Sequence, residues 1–237
     1  MAKDPRAEAL FDTAARRFAP AGRFARHFAR GKIGADPVFA TLLARGLIRD
    51  GARVLDLGCG QGCLLALLAA APECHRAGAW PDGWPPPPAG LRLHGIDLLH
   101  RDVARARLAL DGAATVEQGD LRTAPLVPSD VIVLLDVLHY MEPEAQDALL
   151  ARIAAAMAPG GLFVTRVGDP AAGLAAALTW TVDQLVAAAR GQGLHRFHRR
   201  SIAGWTTALE RHGLAVATEP MNGAVPFANV LMVARKG

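Results

Sequence analysis

The sequence predicts an α/β fold, an open sheet flanked by helices, and three observations carry that prediction. The strand-like run Val54-Leu55-Asp56-Leu57 enters a glycine-rich turn, Gly58-Cys59-Gly60-Gln61-Gly62, that opens an apolar helix over 63–71. Two further strand-like runs end in a carboxylate, Leu91 to Asp97 and the apolar Asp130 to Asp136. Short strand-like segments recur down the chain between helical and turn-rich stretches. Open sheets of this class bind ligands beyond the C-terminal ends of their strands, where the glycine turn and these carboxylates fall.

Each element has a local reason. Leu10, Phe11, Ala14 and Phe18 recur at helical spacing, Pro20-Ala21-Gly22 breaks the pattern, and Phe24 and Phe28 resume it. Arg23, Arg26 and Arg30 form a neighbouring stripe, so the expected helix turns its phenylalanines inward and its arginines to water. Contact of this basic helix with a membrane surface, or with an acidic carrier, stays open. Asp36-Pro37 reads as an N-cap with proline at the first helical position, giving a helix over 37–45 that Gly46 ends. Residues 77–90 are rich in Pro, Gly and Trp and read as a stiff surface loop. Strands then follow at 91–97, 114–118, 130–136 and 162–167. The stretch 169–190 is helical in pattern, Ser201 caps a helix that ends at Gly213, and 214–218 and 230–234 are the last two strands.

The spacing of the glycines separates two kinds of nucleotide site. A dinucleotide fingerprint, G-x-G-x-x-G, needs glycine where Cys63 stands, and an acid closing a strand about twenty residues on. The carboxylate near that distance is Asp82, inside the proline-rich stretch. The form D-x-G-x-G-x-G at Asp56 to Gly62 instead resembles the first motif of the class I methyltransferases that use S-adenosylmethionine (SAM). Asp97, Gly119-Asp120-Leu121, Asp136-Val137-Leu138-His139-Tyr140 and Met157-Ala158-Pro159-Gly160-Gly161 fall where that family places its later motifs. The resemblance covers roughly residues 35 to 170. It implies a Rossmann-like class I methyltransferase fold: a seven-stranded, mostly parallel sheet with helices on its faces. A helical lid would come from the N-terminus and from the segment after strand five.

The resemblance also implies roles. Asp56, Gly58, Cys59, Gly60 and Gly62 would line the methionine end of SAM, with Asp56 orienting its amino group. Asp97, with Leu98 beside it, would accept hydrogen bonds from both ribose hydroxyls. Gly119, Asp120 and Leu121 would hold adenine, and Asp136 would close the pocket after strand four. Each carboxylate has a plainer reading: Asp56 satisfied by loop N–H groups, Asp97 capping the next helix, Asp120 in an ordinary turn. The product would be S-adenosylhomocysteine. His139 and Tyr140 stand where the acceptor side begins, and His139 is a candidate base. His139 and Tyr140 could instead simply wall the pocket. His195 and His198 compete for the role of base from the lid, in a run with Arg196, Arg199 and Arg200 that reads as a solvated face or an anion-binding patch.

Composition bounds the rest. The chain has 237 residues, 51% hydrophobic, which suits one domain: cap helices over 1–46, a core over 47–167, a lid over 168–200, and a last helix and strands over 201–237. Net charge is +4, but the basic residues are almost all arginine, as a GC-rich bacterial coding bias would give. Without an N-P-P-Y-type segment after strand four, nucleic acid ranks behind a small or carrier-bound acceptor. The segment Pro226 to Arg235 loosely resembles small methyltransferases of bacterial pigment and polyketide-like clusters, which implies a hydrophobic acceptor, of aromatic or polyene class. A SAM-binding protein without methyl transfer, or a nicotinamide dehydrogenase, are the alternatives. Cys59, Cys63 and Cys74 have no metal spacing and no even disulfide set, so reduced thiols and no metal are expected. No signal-peptide core or membrane-spanning run is read, so a cytoplasmic protein is expected.

Overall fold

The computed structural model describes residues 4–168, 197–221 and 229–237. Seven strands form one sheet in the order β3-β2-β1-β4-β5-β7-β6: β1 Arg53–Leu57, β2 Arg92–Asp97, β3 Thr115–Gln118, β4 Ser129–Leu135, β5 Met157–Gly168, β6 Leu214–Pro220 and β7 Asn229–Lys236. The seven helices of the described residues are α1 Pro5–Arg16, α2 Arg23–Ala35, α3 Pro37–Ala44, α4 Cys63–Arg76, α5 His100–Leu110, α6 Pro143–Ala156 and α7 Ile202–Glu210. The chain divides into two compact units, to Val131 and from Ile132.

In the first unit β1, β2 and β3 are parallel, with Asp56 beside Gly95 and Asp97 beside Gln118 in the register. Gly95 leaves room for the turn after β1. A Cβ there would stand 2.8 Å from both Cys59 Sγ and Leu65 Cδ1. Helix α1 packs on α4 and α2, burying Leu10, Phe11 and Ala14, while Phe18 just beyond it is also fully buried. Asp4 and Asp36 cap α1 and α3, each accepting from the N–H two residues on. The expected end of α4 at Ala71 is overrun. Pro72 sits inside the helix, which continues to Arg76. An interior proline costs about 3 kcal/mol, but Cys74 is buried beyond it and Ala77 N–H still closes on the Glu73 carbonyl.

The proline-rich stretch is more tightly held than a surface loop. Trp80, Pro81, Pro87 and Pro88 are buried, and the Trp80 indole N–H donates 2.9 Å to the Pro85 carbonyl. Ala89 exchanges bonds with the turn before β1, to Asp50 Oδ1 and from Gly51 N–H, both 2.8 Å. Arg6 of α1 pairs with Asp82.

In the second unit β7 runs antiparallel to both β5 and β6. Strand β5 begins at Met157, earlier than expected, so that Pro159-Gly160-Gly161 lie within it. Ser201 caps α7 by accepting from Gly204 N–H at 3.1 Å, as its sequence predicts. The expected helix over 169–190, His195, Arg196 and the start of the 226–235 segment lie outside the described residues.

Candidate active site

The glycine turn is built by left-handed backbone. Gly58, Gly60 and Gly62 have φ of +70°, +56° and +82°, a region that side chains with a Cβ rarely enter. They differ in what surrounds them. A Cβ on Gly62 would meet Ala106 Cβ and Leu110 Cδ1 at 3.2 Å, so this glycine lets α5 approach. A Cβ on Gly60 would meet nothing within 4 Å among the described residues beyond its chain neighbours, so its face is open to a ligand there. The Gly58 and Cys59 N–H groups donate to the Ile96 carbonyl at 2.8 and 3.2 Å, tying the turn to the end of β2.

Two carboxylates stand behind the turn. Asp97 accepts from Gly60 N–H through Oδ2 at 2.8 Å and from Leu99 N–H through Oδ1 at 2.9 Å. It therefore holds the turn and the entry to α5 together. Asp56 is buried, and among the described residues no hydrogen bond reaches its carboxylate. Burial, and then the nearby Asp97 charge, push its pKa up to about 7. The same burial raises the Cys59 thiol well above its ordinary value, leaving it protonated and inert. Cys63 and Cys74 are also buried and in no disulfide.

The turn after β3 joins the same cluster. Gly119 N–H donates to the Asp97 carbonyl at 3.0 Å, Leu121 is buried, and Leu98 is exposed. Asp120 is engaged by its neighbour. It accepts from Arg122 N–H at 2.9 Å, and Arg122 Nε lies 2.9 Å from both carboxylate oxygens. These bonds hold its pKa below the usual carboxylate value.

Sequence reading missed Gln61. Its side chain is buried, and Nε2 donates to the Ala25 carbonyl of α2 at 2.8 Å, so the glycine turn carries the N-terminal helix. As a variable position within G-x-G it gives no local signal.

The second unit holds the remaining candidates. Asp136, just past β4, has φ +59°, unusual for a residue with a side chain, and is gripped by Arg166 of β5, whose Nε is 2.8 Å from Oδ1. His139 and Tyr140 follow in a 3₁₀ turn. The His139 ring lies 4.3 Å from the Tyr140 ring and 5.1 Å from Phe197, centroid to centroid. Its Nε2 is buried without a hydrogen-bond partner among the described residues. Burial lowers its pKa to about 4, against an upward pull from Asp136. His198 is differently placed, with Nε2 3.1 Å from Glu142 and its backbone N–H on the His139 carbonyl at 2.9 Å.

Arg200 does not lie on a solvated face. It donates to Gln146 Oε1, Asp147 Oδ1 and the Pro143 carbonyl at 2.7, 2.6 and 2.8 Å. Gln146, fully buried, in turn donates from Nε2 to the carbonyls of Leu138, Met141 and His198 at 3.0, 3.0 and 2.9 Å. This glutamine fixes the segment bearing His139, yet on the sequence it reads as one polar residue of an ordinary helix.

The fold and this cradle place the chain in a class, the SAM-dependent methyltransferases with a Rossmann-like core. A family described as a methyltransferase domain matches residues 23–219, and the chain belongs to it. Among curated relatives, a carboxy-SAM synthase of Chromohalobacter salexigens is 34% identical over 128 residues, 52% of this chain and 42% of that protein. A trans-aconitate 2-methyltransferase of Methylobacterium nodulans is 34% identical over 132 residues, 55% of this chain and 43% of that protein. The matches thus span less than half the length of these two relatives. A magnesium protoporphyrin IX methyltransferase structure from Synechocystis, with bound S-adenosylhomocysteine, shares the fold at a TM-score of 0.58 and 20% identity, covering 94% of this chain and 93% of that one. The family uses SAM, and the residues fit it: a buried carboxylate that no hydrogen bond reaches among the described residues suits an ammonium, and the face of Gly60, open among those residues, admits close approach.

Proposed function

We propose that this protein transfers the methyl group of SAM to a small or carrier-bound, hydrophobic or aromatic acceptor. The observation that carries the cofactor half is the pair of buried carboxylates, Asp56 and Asp97, beside the open glycine turn. Two carboxyl groups behind the turn oppose a dinucleotide pyrophosphate. They welcome the ammonium of an amino-acid cofactor, which relieves the charge that raises Asp56. When bound, SAM supplies a methyl group already activated on a sulfonium.

Within this reading, Asp56 orients the amino group. Gly58 to Gly62 lie along the methionine chain, Asp97 accepts from the ribose hydroxyls, and Asp120 with the Leu121 N–H reads adenine. Asp136, held by Arg166, shapes the segment after β4. The acceptor's nucleophilic atom attacks the methyl carbon, the C–S bond breaks with its electrons going to sulfur, and S-adenosylhomocysteine leaves. Where the acceptor arrives protonated, His139 is the best candidate to take the proton. Its ring is neutral above about pH 4 and its Nε2 lacks a partner among the described residues, whereas His198 faces Glu142. The small-molecule character of the acceptor is supported by the names of the relatives, which denote a carboxy-SAM synthase, a trans-aconitate methyltransferase and a porphyrin methyltransferase. A single-domain organisation with a lid over 168–200, and a bacterial cytoplasmic setting, belong to the same proposal.

Calorimetry with SAM, S-adenosylhomocysteine and NAD tests the cofactor half. SAM binding of micromolar order, about −8 kcal/mol, is expected. NAD binding without SAM binding would overturn it. Turnover of labelled SAM against a set of small aromatic and acidic acceptors tests the second half.

A further inference from the structure

Helix α2 does not lie as its sequence pattern predicts. Ala25, Ala29 and Ile33 face the core, while Phe24 and Phe28 are 67% and 38% exposed and stack with ring centroids 6.3 Å apart. The phenylalanines stand outward because the small residues allow α2 to sit close to its neighbours, with the Ala25 carbonyl reached by Gln61. Of the four cations on α2, two are neutralised: Arg30 by Glu8 and Asp12, and Lys32 by Asp36. Arg23 and Arg26 are exposed and make no ion pair among the described residues. The helix itself carries no carboxylate. The same mixture continues onto α5, where Arg105 lies 5.2 Å over the Phe24 ring and Leu108, three residues on along one helix stripe, is exposed.

We infer that this face docks on an anionic lipid bilayer. Exposed rings enter the headgroup boundary, and Arg23 and Arg26, across the outward arc of the helix from the rings and without an ion pair among the described residues, extend their long side chains to phosphate. The charge pattern selects among occupants. A second copy of the chain would bring Arg23 and Arg26 against their own kind, with no carboxylate on α2 to receive them. A protein partner would need a groove shaped to a convex helix whose outer pole is His27 and Gly31. A bilayer takes rings and cations together without a shaped groove. The inference does not depend on the acceptor proposed above, although a hydrophobic acceptor would be at home there.

The test is flotation of the full chain with phosphatidylcholine vesicles, with and without phosphatidylglycerol. Binding is expected on the anionic vesicles and should weaken in molar salt. Each arginine near an anionic surface is worth about fivefold, so the double variant Arg23→Gln/Arg26→Gln should bind about thirtyfold more weakly. Phe24→Ser/Phe28→Ser should lose at least tenfold, while both variants keep the wild-type melting temperature and affinity for S-adenosylhomocysteine. If the phenylalanine variant fails to fold, the arginine variant still decides the matter. No flotation, equal binding to neutral vesicles, or indifference to either pair of substitutions would overturn the inference. So would a lipid-free dimer that the phenylalanine variant dissociates.

Discussion

Asp56→Asn should gain stability on wild type as pH rises, while losing SAM affinity. The buried carboxyl titrates near 7 in the folded protein and near 3.9 in an unfolded chain. Between those values the folded state keeps a proton that the unfolded state has released. Stability therefore falls as pH rises through this window and levels off above it. At about 1.4 kcal/mol per pK unit, the loss attached to Asp56 is about 2 kcal/mol at pH 5 and about 4 kcal/mol at pH 8. Asparagine has no such proton, and every other titrating group is common to both proteins. The stability difference between them should widen by about 2–3 kcal/mol from pH 5 to pH 8, roughly 5–10 °C in melting temperature for a chain of this size. Urea denaturation at both pH values measures it. At pH 8 the variant should bind SAM at least tenfold more weakly, and near pH 7 SAM binding to wild type should release protons, seen as a buffer-dependent enthalpy. A difference that stays constant with pH would refute the raised carboxyl. Unchanged SAM affinity would refute its pairing with the ammonium.

Gly60→Val should cost about 1–3 kcal/mol of stability, because a β-branched residue is strained at φ +56°, and should bind SAM poorly, because the added side chain fills the face offered to the ligand. A melting curve and a SAM titration on the same sample check both halves. Asp97→Ala removes the acceptor of two backbone N–H groups and of the proposed ribose bonds, the latter worth roughly 1.5–3 kcal/mol each. Wild type should discriminate against 2′-deoxy SAM and the variant should not; an unchanged ratio would make Asp97 structural only. Gln146→Leu removes the amide from the Met141 and His198 carbonyls and from Arg200 Nε, while the Leu138 carbonyl keeps the Met141 N–H, and about 2 kcal/mol or more of stability should go; a loss under 1 kcal/mol would show that water replaces the amide. If His139 takes the acceptor's proton, turnover should fall on an acidic limb near pH 4, far below an ordinary histidine, and His139→Gln should remove that limb.

Much of the architecture was legible in the sequence because its signals are local. Strands declare themselves through apolar runs, helix starts through Asp36 and Ser201, and the glycine turn through residues whose φ only glycine reaches easily. The order of Asp56, Asp97 and Asp120 at successive strand ends was local too, and β1, β2 and β3 bring those ends into one cluster. What the sequence could not hold was anything set by a partner far along the chain. Gln61 reaches Ala25 across 36 residues, Arg166 reaches Asp136 across 30, and Gln146 gathers carbonyls up to 52 residues away. The exposure of Phe24 and Phe28 belongs to the same group. Periodicity shows that α2 has two faces, but only packing decides whether the alanines or the phenylalanines meet the core. The charge state of Asp56 was likewise fixed by tertiary structure, since its pKa rises because burial removes its water and a second carboxylate, Asp97, is folded near it.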